Sequence, residues 1–197
     1  MRIKIGLFLA ALLVFGATQA RAAKIHRAVK SGKLDKVKQE VEKDPDCVNL
    51  KTKTAGESPL MFAAEKGHKD IAEYLIEKGA GIEDVNAYGR TPLHIAANKG
   101  QNEMVYFLAE KGADPLVKSP GEHSTPLHDV AQNGNAELAE FFLDKGVDVN
   151  ATLSNIDYTP LHFAMDSPKN ADVIKLLIEK GADVNAKGIR PGTLTYS

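Results

Sequence analysis

The stretch TPLHIAANKGQNEMVYFLAEKGAD, Thr91 to Asp114, decides how the rest of the chain is read. Thr91 carries a side-chain oxygen suited to an N-cap, and Pro92 stands at the first helical position, where its missing N–H is harmless. Gly100 and Gly112 each follow a run of good helix formers, and glycine tolerates the left-handed conformation that closes a helix end. The spacing predicts a short helix, a turn and a longer helix.

The same pattern recurs. Ser58-Pro59-Leu60, Thr91-Pro92-Leu93, Thr125-Pro126-Leu127 and Thr159-Pro160-Leu161 open four units at steps of 33, 34 and 34 residues. Their second helices end alike, at Glu77-Lys78-Gly79, Glu110-Lys111-Gly112, Asp144-Lys145-Gly146 and Glu179-Lys180-Gly181. Ile71, Met104, Leu138 and Val173 fall in one row and Leu75, Leu108, Phe142 and Leu177 in another, so neighbouring units can bury each other's apolar flanks. In the first helices Ala63, Ala64, Ala96, Ala97 and Ala131 keep side chains small, which lets backbones approach closely.

Ahead of these units, Lys24 to Lys43 carries apolar residues at helical spacing on either side of Gly32. Nothing like Thr-Pro-Leu introduces this pair, and its charged faces suit a terminal unit with one side in water. Residues 1–22 read as a secretory signal. Arg2 and Lys4 precede an apolar run from Ile5 to Ala17, and Ala20-Arg21-Ala22 offers small residues for a cut after Ala22. The run is shorter than the ~20 residues a membrane-spanning helix needs. The expected divisions are a signal peptide at 1–22, an N-terminal capping unit at 23–57, four units at 58–90, 91–124, 125–158 and 159–192, and a tail at 193–197. Thr193-Leu194 stands where a fifth opening would begin.

Composition limits the function. Of 197 residues, 43% are apolar and 26% charged, ordinary for one domain with a continuous core. Three of the 25 basic residues and none of the 26 acidic ones lie in the first 22 positions, so the remainder carries a net charge of about −4. Such a balance argues against nucleic-acid binding by phosphate neutralisation. Cys47 is the single cysteine, which excludes an internal disulfide and a cysteine-based zinc site.

The period near 33, the Thr-Pro-Leu-His-x-Ala opening and the Gly-Ala-Asp-x-Asn close resemble ankyrin repeats over roughly residues 24–190. The resemblance implies an all-α solenoid of stacked helix-turn-helix units joined by projecting hairpin loops. It also implies that His94, His128 and His162 are structural, tying each helix start to the next loop. The departures are Met61 in place of the first histidine, Gly81 and Glu83 in place of the hairpin Asp and Asn, and Asp166 to Asn170 without the usual turn glycine. No metal, cofactor or catalytic motif emerges, and His68 and His123 read as solvated surface residues.

Carried over position by position, the family's protein-binding residues fall on Tyr88, Arg90, Asn98 and Lys99 in the second unit. In the third they fall on Glu122, His123, Gln132 and Asn133, and in the fourth on Leu153, Asn155, Ile156, Tyr158 and Asp166. Tyr88 and Tyr158 are the expected anchors, since aromatic rings at loop tips suit interface centres. Replacing both should then weaken capture and leave melting unchanged. The expected function is a non-catalytic protein–protein interaction module in the periplasm or outside the cell, gripping one protein on its concave face. The alternatives are an inhibitor or immunity protein blocking a toxin or envelope enzyme, and a secreted effector directed at a host protein. An open C-terminal stack end would suit a second copy of the chain.

Overall fold

The computed structural model describes residues 18–154 and 156–188. The apolar run Ile5 to Ala17, Asn155 and the Thr193-Leu194 pair lie outside the described residues. Among the described residues, helices come in five pairs. Residues 18–30 (α1) and Leu34–Lys43 (α2) form the first, and a 3₁₀ turn, Pro45–Asn49, leads out of it. Pro59–Lys66 (α3) with Lys69–Glu77 (α4), and Pro92–Asn98 (α5) with Asn102–Glu110 (α6), follow. Pro126–Asn133 (α7) with Ala136–Asp144 (α8), and Pro160–Ala164 (α9) with Ala171–Glu179 (α10), complete the stack.

Each helix start and stop has a local cause. Ser58, Thr91, Thr125 and Thr159 are extended N-caps with proline next in sequence. The second helices close in one shared way: Ala80 N–H donates to Leu75 C=O, Ala113 to Leu108, Val147 to Phe142 and Ala182 to Leu177, at 2.9–3.0 Å. This is the six-to-one bond of a Schellman close, and it needs the intervening residue left-handed. Gly79, Gly112, Gly146 and Gly181 supply that conformation, with φ from 87° to 101°. The recurrent Lys-Gly-Ala or Lys-Gly-Val signature is therefore the chemistry of a helix end.

First helices pack on first helices from α3 through α9, and each also packs on its own second helix. Both second-helix rows are buried, and Ala63, Ala64, Ala96, Ala97, Ala131 and Ala164 have no exposed surface. At roughly 1.5–3 kcal/mol for each fully buried large side chain, these rows dominate stability. Polar side chains stitch the units together elsewhere. Gln101 donates to Glu65 C=O at 3.2 Å, Asn133 to Ala97 C=O at 2.9 Å, and Asn170 to Ala131, Gln132 and Ala164 C=O at 3.1 Å each. Asn170 thereby satisfies the end of α9, which lacks a turn glycine.

The N-terminal pair carries motif positions without the motif's opening. Ile25, Ala28 and Val29 sit in the register of Leu93, Ala96 and Ala97, and His26 occupies the motif histidine's place with its ring 5.1 Å from Phe62. Asn49 donates to Gly79 C=O at 3.0 Å and accepts from Gly81 N–H at 3.1 Å. Asn150 makes the matching pair of bonds to Gly181 and Asp183, at 3.2 and 2.8 Å. The first pair is thus a degenerate copy of the motif, its Thr-Pro replaced by Ala23-Lys24 inside a helix. The cut expected after Ala22 falls within α1, where Ala22 is buried and Arg21 pairs with Asp44. His68 lies in its turn as expected but is half-buried, not fully solvated. It stands over Gly32, so closely that a Cβ there would lie 2.9 Å from its ring.

Candidate functional site

Residues of the hairpin tips and of the first helices line a common surface, as Glu57, Tyr88 and Arg90 do beside Glu65, Asn98 and Lys99, and the motif fixes what each contributes. His94 Nδ1 lies 3.3 Å from Thr91 N–H, and its Nε2 lies 3.0 Å from Ser124 C=O. Because a carbonyl only accepts and an amide only donates, the imidazole is the neutral Nε2–H form. His128 repeats this with Thr125 N–H at 3.1 Å and with the Ala151 and Tyr158 carbonyls. Burial pushes both histidines down to about 4. They link each unit to the next loop, as the resemblance implies.

Each hairpin tip is closed across its neck. Thr52 pairs with Glu57, Asn86 with Arg90, Ser119 with Ser124 and Leu153 with Tyr158 through backbone bonds of 2.8–3.1 Å. Two residues before the N-cap the chain turns left-handed. Gly56 and Gly89 do so freely, whereas His123 and Asp157 do so at φ 57° and 51°. A side-chain-bearing residue there is strained, by about 1–2 kcal/mol in general and less for Asp.

The two tyrosines part company. Tyr88, at the tip of the second unit's hairpin, is 68% exposed. Tyr158, directly ahead of Thr159, stacks on His162 with ring centres 4.9 Å apart and meets Phe163 edge-on. It is half-buried, and Gly188 lies against its ring. Lys99, Glu122, His123, Gln132 and Asp166 are exposed on the face, while Leu153 and Ile156 are half-buried. Asn133 is engaged through its amide with Ala97 and Asn98.

Beneath Tyr88 lies a concavity of about 320 Å³, walled by Glu57, Glu65, Tyr88, Arg90, Asn98 and Lys99. Two of its wall residues, Arg90 and Asn98, are held by a residue that the sequence motif does not announce. Asp129 is 2% exposed, in the helix position held by Phe62, Ile95 and Phe163 in the other units. Arg90 reaches from its hairpin to pair with Asp129 Oδ1, and Asn98 donates to the same oxygen at 3.3 Å. Asp129 Oδ2 has no hydrogen-bond partner. Burial pushes this carboxyl up, against the pull of Arg90 and Asn98. The available signal was a lone carboxylate in an otherwise apolar register.

Among the described residues, no group of three or more His, Cys, Asp or Glu converges as a metal site, and no helix is long and apolar enough to cross a membrane. Cys47 is buried, and burial pushes its thiol up to about 11, which leaves it unreactive.

Paired helices, shared closures and projecting hairpins define a helical-repeat scaffold that presents one face for contact. The sequence matches the family model for ankyrin repeats (3 copies) over residues 25–119 and again over 116–188. The chain belongs to the ankyrin-repeat family, whose members are protein–protein interaction modules. The match begins at Ile25 and so takes in the degenerate first pair.

Proposed function

We propose that this chain is a non-catalytic binding protein that holds one protein partner on the face formed by its hairpin tips and first helices, in the periplasm or outside the cell. The observation that carries the reading is the division of labour along each unit. Motif residues are consumed by packing and capping, whereas Tyr88, Lys99, Glu122 and Gln132 stand exposed between them on one face. Exposed aromatic and long polar side chains on a rigid scaffold can contact a partner at little ordering cost. The extracytoplasmic placement rests on the charged and apolar pattern of residues 1–22.

The test is affinity capture from an envelope fraction with the native chain, with Tyr88→Ala/Lys99→Glu, and with Glu103→Lys/Glu140→Lys on the second helices. Capture lost only in the first variant supports the reading. Capture lost only in the second moves the binding surface to the opposite face and contradicts it.

A further inference from the structure

The hairpin tips are not joined evenly. Ala87 N–H donates to Ala55 C=O at 2.9 Å, tying the first tip to the second, and Ser154 N–H donates to Glu122 C=O at 3.0 Å, tying the third to the fourth. Both donors stand eight residues after the preceding Schellman glycine, Gly79 or Gly146, and both acceptors stand three residues before an N-cap. Between the second and third tips the donor position is Pro120, which has no N–H. Tyr88 C=O, the matching acceptor, takes no hydrogen bond from any described residue. Gly89 closes against Pro120 instead, where a Cβ would lie 2.9 Å from Cδ.

This seam adjoins the concavity at Tyr88, and the groups there share one preference. Tyr88 offers an exposed ring, whose face attracts cations, and an unmet carbonyl. Glu57 is half-buried on the wall and its carboxylate has no hydrogen bond or ion pair among the described residues. Glu65, also on the wall, has only the exposed Lys66 at 3.1 Å. The two cations of the wall oppose this unequally. Arg90 is committed to Asp129, and Lys99 is exposed on a flexible stem at the end of α5.

We propose that the concavity receives a lysine or arginine side chain of the protein partner, its charge held by Glu57 and Glu65 and its stem against the Tyr88 ring. The inference rests on the protein-docking reading above and names the chemistry of one contact within it. Arg90, pinned by a buried carboxylate, forms a fixed wall of the pocket.

The test is a ¹⁵N-resolved NMR titration of the whole chain with four capped Gly-Ser pentapeptides that differ only in a central Arg, Lys, Glu or Ala. The expected result is saturable shifts of the Gly89, Ile95 and Lys99 amides with the Arg and Lys peptides alone. Glu57→Gln and Tyr88→Ala should each weaken this binding about fivefold, the scale of one exposed cation contact. Glu57 is without a side-chain bond and Tyr88 is largely exposed, so neither variant threatens the fold. Equal binding of the Glu peptide, basic-peptide shifts that survive both variants, or no shift at these amides would overturn the proposal. None of those results touches docking on this face, which is judged by where a native partner attaches.

Discussion

Asn170 Oδ1 stands so close over Gly134 that a Cβ built on the glycine would fall 2.4 Å from it. The contact recurs along the stack, because the residue ahead of each second helix covers the turn glycine of the unit before. Gln101 covers Gly67 at 2.5 Å, while Asn135 stays 3.7 Å from Gly100. Turn glycines are therefore part of the joint between units, and their tolerance should follow these distances.

Gly134→Ala should cost more than Gly100→Ala. Both glycines are left-handed, at φ 77° and 65°, so each substitution carries about 1–2 kcal/mol of backbone strain. Only Gly134→Ala must also displace an amide that makes three hydrogen bonds. Urea unfolding should show a gap of at least about 1 kcal/mol between the two variants. Equal costs would remove the joint from the account.

His123→Gly and Asp157→Gly should each stabilise the chain. The gain is the relieved strain less the added freedom of glycine in the unfolded state, leaving roughly 0.5–1 kcal/mol, with His123 at the upper end. Thermal unfolding measures it, and a lowered midpoint in both variants would show that the tips are not strained.

Tyr88→Ala should leave the melting curve in place, whereas Tyr158→Ala should lower stability by about 1 kcal/mol through the lost stacking on His162. Stability equally indifferent to both changes would restore the expectation that the two rings are equivalent loop-tip anchors.

Arg90→Met should destabilise by about 3 kcal/mol, because it strands a buried carboxylate, and Arg90→Met/Asp129→Leu should recover most of that loss. Additive losses in the double variant would mean that the pair does not act as a unit.

Acid should unfold the protein through His94 and His128. Both are held near 4 when folded against an ordinary value of 6.5. Between those values the unfolded chain binds protons that the folded chain refuses. The contribution is therefore complete above about pH 6.5 and falls away as pH drops toward 4, by on the order of 3 kcal/mol for each histidine. Stability that stays flat from neutral pH to about 4.5 would contradict the neutral, doubly bonded imidazoles.

If residues 1–22 are a secretory signal, N-terminal sequencing of the protein recovered from its native envelope should begin at Ala23. A start at Met1 would retain the Arg21–Asp44 pair and remove the basis for placing the protein outside the cytoplasm.

Much of the fold is legible because its determinants are local. Thr91-Pro92, the Glu-Lys-Gly closes and the row from Ile71 to Val173 act within a few residues or repeat at a fixed step. The Arg90–Asp129 pair spans 39 residues with no motif to announce it. Only the odd carboxylate in a register of Phe62, Ile95 and Phe163 hinted at it. Counting back from the N-cap would have separated the tyrosines, since Tyr88 stands three residues ahead of Thr91 at the tip and Tyr158 one residue ahead of Thr159 at the neck. Ile25-His26 and Asn49 went unread as motif residues because the Thr-Pro that normally flags the opening is absent.

The most direct measurement of the central claim is photo-cross-linking in the native compartment, with a benzophenone side chain placed in turn at Tyr88 and at Glu140 and the adducts identified by mass spectrometry. A single protein should be joined from position 88 and none from position 140. Adducts from position 140 alone would place the partner on the second helices and end the claim that the hairpin face does the binding.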